Sequence, residues 1–121
     1  MVLILGGFGA GKRTFAKTLG FTDAQMSNDP HADAPVLVDL ETVVKADPAC
    51  AEALLPLLLR KKLVLCREVG SGVIPLDPKE REWREAVGRL CCALAKEATA
   101  VVRVVCGIPT VLKGELPCTS D

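Results

Sequence analysis

The chain is poor in aromatic residues, carries no net charge and lacks long apolar runs, and each absence excludes a class of function. Aromatic residues are 3% of the 121 residues, so a surface that stacks nucleic-acid bases is not expected. Lys+Arg and Asp+Glu both number 15, so there is no electrostatic basis for binding nucleic acid or an anionic membrane. We therefore expect neither nucleic acid nor membrane as a partner.

Segments that would direct the chain into or across a membrane are also missing from the sequence. The apolar start at residues 2–5 is interrupted by glycines after four residues, which is too short for a secretory signal peptide. No other run approaches the roughly 20 residues that span a bilayer. The expected location is the cytoplasm.

Cysteine pairs with the spacing of a zinc site are absent, although the chain has six cysteines. None forms a C-x-x-C pair, and His31 is the one histidine, so a zinc site is not predicted. Small buried thiols in a reducing compartment are the simpler interpretation. His31 stands in a polar segment, where it could be a nucleophile, an acid–base group or an incidental residue.

What the chain does have is apolar content. Half of its residues are hydrophobic, and the mean hydropathy is +0.32. The length suits one domain with one core, so residues 1–121 are expected to form a single domain. An aliphatic chain without net charge also favours self-association, and we expect a homo-oligomer.

A glycine-rich segment near the start carries the clearest functional signal. It reads G-x-x-x-x-G-K, follows an apolar run predicted to be a strand, and precedes a predicted helix. This is the context of a phosphate-binding loop, in which backbone N–H groups, the helix N-terminus and a lysine hold phosphate oxygens. The sequence therefore predicts a nucleoside triphosphate, ATP or GTP, as the ligand. The binding residues would be Gly6, Gly7, Phe8, Gly9, Ala10, Gly11, Lys12, Arg13 and Thr14.

The residue after the lysine departs from the usual pattern. That position normally holds a serine or threonine whose hydroxyl binds Mg²⁺, and here it is Arg13. Arginine cannot ligate a cation, but it could supply positive charge where the metal would lie. A small shift of the loop could bring Thr14 there instead, or the loop could remain only as a structural turn. Mg²⁺ is thus the expected cofactor, and Arg13 is the residue that argues against it.

Apolar runs alternate with helical segments along the chain. Strands are predicted at residues 2–5, 35–40, 62–66 and 99–106, helices at 12–19, 42–46, 48–60 and 78–98, and a short edge strand at 110–112. Residues 21–34 and 67–75 are expected to be loops. Pro56 should kink or restart the third helix, and Asp77 should cap the fourth. This order predicts an α/β fold, a P-loop NTPase-like parallel sheet with helices on both faces.

Acidic residues follow two of the predicted strands, at the edge of a parallel sheet where ligands bind. Asp39 ends the second strand and is placed like a carboxylate that holds Mg²⁺ beside the phosphates, with Glu41 as a nearby alternative. Either acid could instead cap the following helix. Glu68 follows the third strand and opens a glycine-bearing segment, where it could bind metal, act as a base or belong to an ordinary turn.

Two arginines in the first turns of the long helix complete the set of candidates. Arg81 and Arg84 lie close to one helical face and could bind phosphates of the nucleotide or of a neighbouring substrate. Arginines on a helix are more often solvated or paired, and Glu80 and Glu85 are within reach for that.

Several motifs together resemble a known enzyme family. The sequence E-V-G-S-G-V-I-P at residues 68–75 resembles an E-V-G-x-G-I-V-P signature, and residues 81–89 match an R-x-F-R-D-x-x-G-R helix at the same spacing. Residues 104–108, V-V-C-G-I, resemble a closing V-V-S-G-I, and the glycine loop resembles G-G-x-x-S-G-K-S. These are motifs of the bifunctional adenosylcobinamide kinase / adenosylcobinamide-phosphate guanylyltransferase family of cobalamin biosynthesis.

The resemblance implies a parallel-sheet P-loop fold, often in an oligomer, and a transferase activity; in this chain the fold is expected to be reduced in size. The expected reaction is phosphorylation of a hydroxyl on the aminopropanol arm of cobinamide, followed by GMP transfer to that phosphate. Lys12 and Glu68 would be the catalytic residues and Asp39 would hold the metal, while Arg81 and Arg84, with Glu68, would form the site for the second substrate.

The chain also departs from the family pattern. The family has a long segment between the first helix and the acid-bearing strand, with an H-H-K context whose histidine takes up GMP; here only residues 20–34 remain and that context is missing. Guanylyl transfer by that route is not supported, and the role is not assigned to His31. Three hypotheses follow: a trimmed kinase, a nucleotide- or corrinoid-binding homologue without turnover, and a small P-loop kinase with an unrelated substrate.

Overall fold

A computed structural model describes residues 1–7, 9–68 and 77–115 of the chain. In this part, six strands form one sheet in the order β2-β3-β4-β1-β5-β6. The strands are β1 (Val2–Gly6), β2 (Met26–Ser27), β3 (Val36–Leu37), β4 (Leu63–Arg67), β5 (Ala100–Val105) and β6 (Ile108–Gly114). Neighbouring strands are parallel except β5 and β6, which form an antiparallel hairpin.

Four α-helices accompany the sheet in the described residues. They are α1 (Lys12–Thr18), α2 (Leu40–Ala46), α3 (Leu55–Leu59) and α4 (Pro78–Glu97), with 3-10 turns at Asp23–Gln25 and Pro48–Leu54. The start of α4 is as predicted, because the Asp77 carboxylate accepts a hydrogen bond from the Lys79 N–H at 2.9 Å and Pro78 needs no N–H partner in the first turn. None of these helices is long and apolar enough to cross a bilayer.

Side chains of the inner strands alternate between two apolar layers. Leu3 of β1 packs in a buried cluster with residues of α2, α3 and α4. Its neighbours Val2 and Ile4 point to the opposite face, where they form a second cluster with Phe15 and Ala16 of α1. Because both faces of the sheet are covered, the strands can be apolar throughout. The predicted α/β fold, a largely parallel sheet with helices on both faces, is confirmed.

The carboxyl ends of the parallel strands meet at one edge of the sheet. The glycine loop follows β1, Asp39 follows β3, and Glu68 follows β4. Strand β5 ends in a two-residue turn, Cys106-Gly107, whose φ values of 51° and 77° are both left-handed, as a tight hairpin turn requires. The segments that the sequence marked as candidates therefore share one edge.

The predicted limits of the second strand and of the segments on either side of it were wrong. The expected strand at residues 35–40 is limited to Val36–Leu37, because Asp39 has a left-handed backbone, φ 55°, which ends an extended segment, and α2 begins at Leu40. The expected loop at residues 21–34 contains the 3-10 turn Asp23–Gln25 and strand β2, which pairs with β3. A two-residue strand has too few residues to show alternation.

The remaining corrections concern the third helix and the last strand. Residues 48–60 form a 3-10 turn and then α3, with Pro56 in the first turn of α3, so the predicted restart is confirmed but the single helix is not. The short edge strand expected at 110–112 extends over Ile108–Gly114. Pro109 lies inside it, which an edge strand tolerates.

Candidate functional site

The glycine loop has left-handed glycines after Phe8, which itself lies outside the described residues. Gly9 and Gly11 have left-handed φ values of 71° and 95°, which cost little only for glycine. The Lys12 ammonium donates to the carbonyl oxygens of Gly6 at 3.1 Å and Gly7 at 3.0 Å. Because both acceptors belong to the loop itself, the lysine is held over the space that the loop encloses.

The turn after β5 supports the glycine loop from outside. The Gly107 N–H donates to the Ala10 carbonyl at 2.8 Å, and a methyl group on Gly11 would lie 3.3 Å from the Gly107 Cα. A methyl group on Gly6 would lie 2.7 Å from the Val104 carbonyl oxygen, closer than carbon and oxygen approach in folded proteins. The loop and the end of β5 are therefore packed backbone to backbone.

Arg13 forms an ion pair with Asp39. Its guanidinium donates to the Asp39 carboxylate at 2.8 Å, and the two side chains are 56% and 42% exposed. Such an exposed pair contributes about 0–1 kcal/mol to stability, so its importance lies in where it places charge. Asp39 occupies the position before α2, but its side chain makes no capping hydrogen bond there. The side chain of Asp39 therefore does not cap α2, which was one of the two roles considered for it.

Glu41 connects the end of β4 to α4. Its carboxylate accepts the Arg67 N–H at 2.8 Å, and its carbonyl accepts the indole N–H of Trp83 at 2.7 Å. The Lys45 ammonium lies 4.9 Å from the centre of the Trp83 ring, within the range of a cation–π interaction. These contacts hold the first turn of α2 against α4 and form one wall of the site.

Glu68 lies beside the glycine loop. Its N–H donates to the Gly6 carbonyl at 3.0 Å, which continues the pairing of β4 with β1. Its carboxylate forms an ion pair with the guanidinium of Arg103 on β5, at 2.9 Å. The segment that follows Glu68 in the signature, residues 69–76, lies outside the described residues.

A cavity of about 600 Å³ opens between the glycine loop and the wall formed by α2 and α4. This volume is within the range of small-molecule sites, about 300–1,000 Å³. The lining includes candidates from the glycine loop and from the end of β3, together with residues that were not candidates. The lining residues are Gly9, Ala10, Gly11, Lys12, Arg13, Thr14, Asp39, Glu41, Thr42, Lys45, Leu65, Arg67 and Trp83.

The two candidate arginines of α4 are not among the residues that line this cavity. Arg84 is half-buried and forms an ion pair with Glu80 at 3.6 Å, one turn earlier in the helix. Arg81 is exposed in the first turn. Trp83, between them, is the residue of this part of the helix that reaches the cavity. His31 is exposed and lines a different depression, beside Lys61.

Several residues of the site were missed or misread in the sequence, among them Arg103, Trp83 and Lys45. Arg103 had a signal, because it is the one charged residue in the apolar run at 99–106. Trp83 was not a candidate: it packs against the core from α4, and it also lines the cavity. Lys45 had no signal beyond its place in a helix.

Two cysteines lie against the site from the core side. The sulfur atoms of Cys66, in β4, and Cys91, in α4, are 3.6 Å apart. The hydrogen bond with Cys91, followed by burial, raises the pKa of the Cys66 thiol well above its ordinary value. The expectation of buried thiols is met by Cys66, while Cys91 is partly buried, and it is wrong for Cys50, Cys92 and Cys106, which are exposed. Cys118 lies outside the described residues.

The donors around the loop do not fit a Mg²⁺ ion. The position of the usual hydroxyl is an arginine, and each of the nearby acids has a partner: Asp39 holds Arg13, Glu41 holds the Arg67 N–H, and Glu68 holds Arg103. In residues 1–7, 9–68 and 77–115 no cluster of three histidine, cysteine or acidic side chains could hold a metal ion. A divalent cation would have to displace a guanidinium to reach the carboxylate of Asp39 or of Glu68.

Comparison with known families shows the family to which the chain belongs. The family model described as cobinamide kinase / cobinamide phosphate guanyltransferase matches residues 48–112, more than half of the chain. The chain therefore belongs to the cobinamide kinase / cobinamide phosphate guanyltransferase family. No curated protein matches the chain at a significant level.

Family membership supports a nucleotide-binding function of the transferase kind and a place in cobalamin biosynthesis. The family uses nucleoside triphosphates, generally with a metal ion. The matched residues contain Glu68 and the whole of α4, whereas the glycine loop precedes them. The assignment of the loop therefore rests on its own motif and geometry.

Proposed function

We propose that this protein binds a nucleoside triphosphate, ATP or GTP, and transfers a phosphoryl group to the hydroxyl of a cobinamide-like acceptor. The observation that carries the proposal is the position of Lys12, held by loop carbonyls at 3.0 and 3.1 Å beside a cavity of about 600 Å³. A glycine loop with such a lysine favours a triphosphate. Family membership favours cobinamide as the acceptor. Guanylyl transfer is not part of the proposal.

The roles of the loop residues follow from charge. Backbone N–H groups of residues 6–14 would surround the phosphates, and the Lys12 ammonium would leave the Gly6 and Gly7 carbonyls for phosphate oxygens, which are stronger acceptors because they are charged. Phosphoryl transfer depends mainly on positioning and on stabilising charge at the transferred group. Lys12 is the residue proposed to supply that stabilisation.

The proposed acceptor side of the site lies around Glu68, which is not itself among the residues that line the cavity. Glu68 lies next to β1 and is proposed to orient the acceptor hydroxyl and accept its proton, with Arg103 fixing the carboxylate. Arg81 and Arg84 remain proposed contacts of the acceptor, although they lie outside the cavity lining. Their support is the match of the α4 motif to the family.

A second candidate function is nucleotide binding without turnover. The observation that favours it is the ion pair of Arg13 with Asp39, which occupies the carboxylate that a kinase of this class would use for its metal. The same nucleotide site serves both candidates, so binding and transfer must be measured separately.

Equilibrium titration with ATP and GTP tests the site, and Lys17→Ala is the matched control for Lys12→Ala. Lys17 lies on the same helix and pairs with Asp23 at 3.1 Å, outside the cavity lining. We expect Lys12→Ala to weaken binding by about tenfold or more, the worth of a charge-assisted hydrogen bond, and Lys17→Ala to leave it unchanged. Equal affinity of both variants and the wild type would remove the assignment of the loop.

Transfer is then assayed by nucleotide consumption with and without cobinamide. Consumption that depends on cobinamide, and is lost in Glu68→Gln, supports the kinase. Binding without consumption supports the second candidate. Consumption that ignores cobinamide but responds to another hydroxyl compound would indicate a P-loop kinase with an unrelated substrate.

Three further features belong to the proposal. A single nucleotide-binding domain over residues 1–121 is supported by the sheet, which joins β1 from the start of the chain to β5 and β6 near its end. A homo-oligomer is supported by exposed apolar residues of the β5–β6 hairpin, which are Val105, Ile108, Val111 and Leu112. Sedimentation analysis measures the oligomer directly. A cytoplasmic location remains a prediction from the sequence.

A further inference from the structure

The place of Arg13 in the site differs from that of an ordinary surface arginine. It follows the loop lysine directly, it lines the cavity, and its guanidinium is 2.8 Å from the Asp39 carboxylate. The two residues are 26 positions apart in the chain, so the pairing comes from the fold rather than from a neighbouring turn. The arginine thus joins the hydroxyl position of the loop to the acid after β3.

These two positions are the ones that a metal ion would need. A divalent cation beside the phosphates is held by a hydroxyl after the lysine and by an acid at a strand end. Arginine is always positively charged and offers no lone pair. A metal ion would meet repulsion from the guanidinium and would find Asp39 already paired. The acids Glu41 and Glu68 are engaged by the Arg67 N–H and by Arg103.

A guanidinium can supply the positive charge that a metal ion would otherwise supply beside the phosphates. It carries five N–H donors in a fixed plane, and one nitrogen is used for Asp39. The group can therefore hold the carboxylate and a phosphate oxygen at the same time. Arg13 and Lys12 together place two positive charges next to the loop, where they would attract the negative charges of a triphosphate.

We propose that Arg13 is the resident cation of the nucleotide site, held by Asp39, and that the site binds nucleoside triphosphates without a divalent metal. This inference rests on the proposed nucleotide binding and makes it more specific. Arg13 contacts the ligand, whereas Asp39 is a positioning residue that acts through the guanidinium. The ligand is the triphosphate itself, and binding does not require a magnesium ion with it.

Calorimetric titration with ATP and GTP, with excess MgCl₂ or with EDTA at matched ionic strength, tests the proposal. Matched ionic strength keeps charge screening constant. We expect the wild-type dissociation constant to change by less than about threefold between the two conditions, because no hydroxyl is present to hold the metal. Arg13→Ser restores a hydroxyl and removes the guanidinium. We expect this variant to bind about tenfold or more weakly in EDTA, the loss of a charge-assisted hydrogen bond, and to regain affinity with Mg²⁺.

Controls distinguish a specific effect of Arg13 from a change in net charge and from a loss of folding. Lys17→Ser removes a cation from the same helix, where Lys17 pairs with Asp23, and should bind as the wild type does. Asp39→Asn should bind more weakly in both conditions because Arg13 loses its anchor, and it should gain no dependence on Mg²⁺. Circular dichroism checks that each variant is folded, and Arg13→Gln replaces Arg13→Ser in EDTA if the serine variant is not.

Each outcome bears on one of the two proposals. Wild-type binding that requires Mg²⁺ overturns the resident-cation inference and leaves the nucleotide site intact. An equal effect of Arg13→Ser and Lys17→Ser overturns it too, because Arg13 would then act only through net charge. Folded wild-type protein that binds neither nucleotide in either condition overturns the proposed function itself.

Discussion

Strands β1 and β6 belong to the same sheet and both contain aliphatic residues, yet their environments are opposite. In β1, Leu3 and Ile4 are fully buried, with strands on both sides and helices on both faces. In β6, Ile108 is 67% and Leu112 57% exposed, and the strand pairs only with β5 in the described residues. The comparison shows that the place of a strand in the sheet, more than its aliphatic content, decides how far its side chains are buried.

The largest expected difference is between matched leucine truncations. Leu3→Ala removes buried methyl groups and leaves a cavity, so we expect a loss of about 2–5 kcal/mol in the free energy of unfolding. Leu112→Ala is the same change on an exposed side chain, and we expect less than about 0.5 kcal/mol. Urea denaturation followed by circular dichroism measures both. A large loss for Leu112→Ala would mean that β6 is covered in solution, as it would be in an oligomer.

Two lysines give a second matched pair. Lys61 is 8% exposed and donates to the carbonyls of Ala32 and Ala34 at 2.6 and 2.8 Å. Lys113 of β6 is exposed and donates to the Ala95 and Lys96 carbonyls at the end of α4. We expect Lys61→Met to cost about 1.5–3 kcal/mol, as for hydrogen bonds to a charged group, and Lys113→Met about 0.3–1 kcal/mol, as for a cation at a helix C-terminus. Equal losses in thermal denaturation would contradict the role given to burial.

Two exposed glycines test whether backbone conformation alone can restrict the residue at a position. A methyl group would meet open space at both Gly107, in the β5–β6 turn, and Gly88, in α4. Gly107 has φ 77°, so Gly107→Ala should destabilise by about 1–2 kcal/mol through backbone strain. Gly88→Ala should stabilise by about 0.5–1 kcal/mol because alanine favours the helix. The same sign for both changes would show that side-chain space, rather than backbone conformation, governs these positions.

The smallest expected effect concerns two exposed thiols. The hydrogen bond and the negative charge of Asp47 raise the pKa of Cys50, so a smaller fraction of it is thiolate near pH 8, and thiolate is the reactive form. We expect Cys50 to react with iodoacetamide more slowly than Cys106 of the hairpin turn, by mass spectrometry of the peptides. Asp47→Asn should lower the pKa of Cys50 and speed its reaction, with Cys106 unchanged. Equal rates before and after the substitution would exclude Asp47 as the cause.

The parts of the fold that were predicted well depend on short stretches of chain. Asp77 and Pro78 start α4 where expected, because a cap needs only an acceptor two or three residues before a free N–H. The glycine loop was identified for the same reason, since its left-handed residues must be glycine. Boundaries failed where pairing with a distant segment decided them, as in β2, whose two residues are a strand only because β3 lies beside them.

Predictions about the site succeeded and failed for the same reasons as predictions about the fold. The sequence by itself determined which residues could bind phosphate, that an arginine stands in the place of a hydroxyl, and that acids follow β3 and β4. Only the tertiary structure decided that Arg13 pairs with Asp39, that Glu68 pairs with Arg103, 35 positions away, and that Trp83 reaches the cavity while Arg81 does not. The physical reason is the distance along the chain over which each feature is decided. Loop and cap geometry is set by dihedral angles over a few residues, whereas an ion pair depends on which strands are neighbours in the sheet.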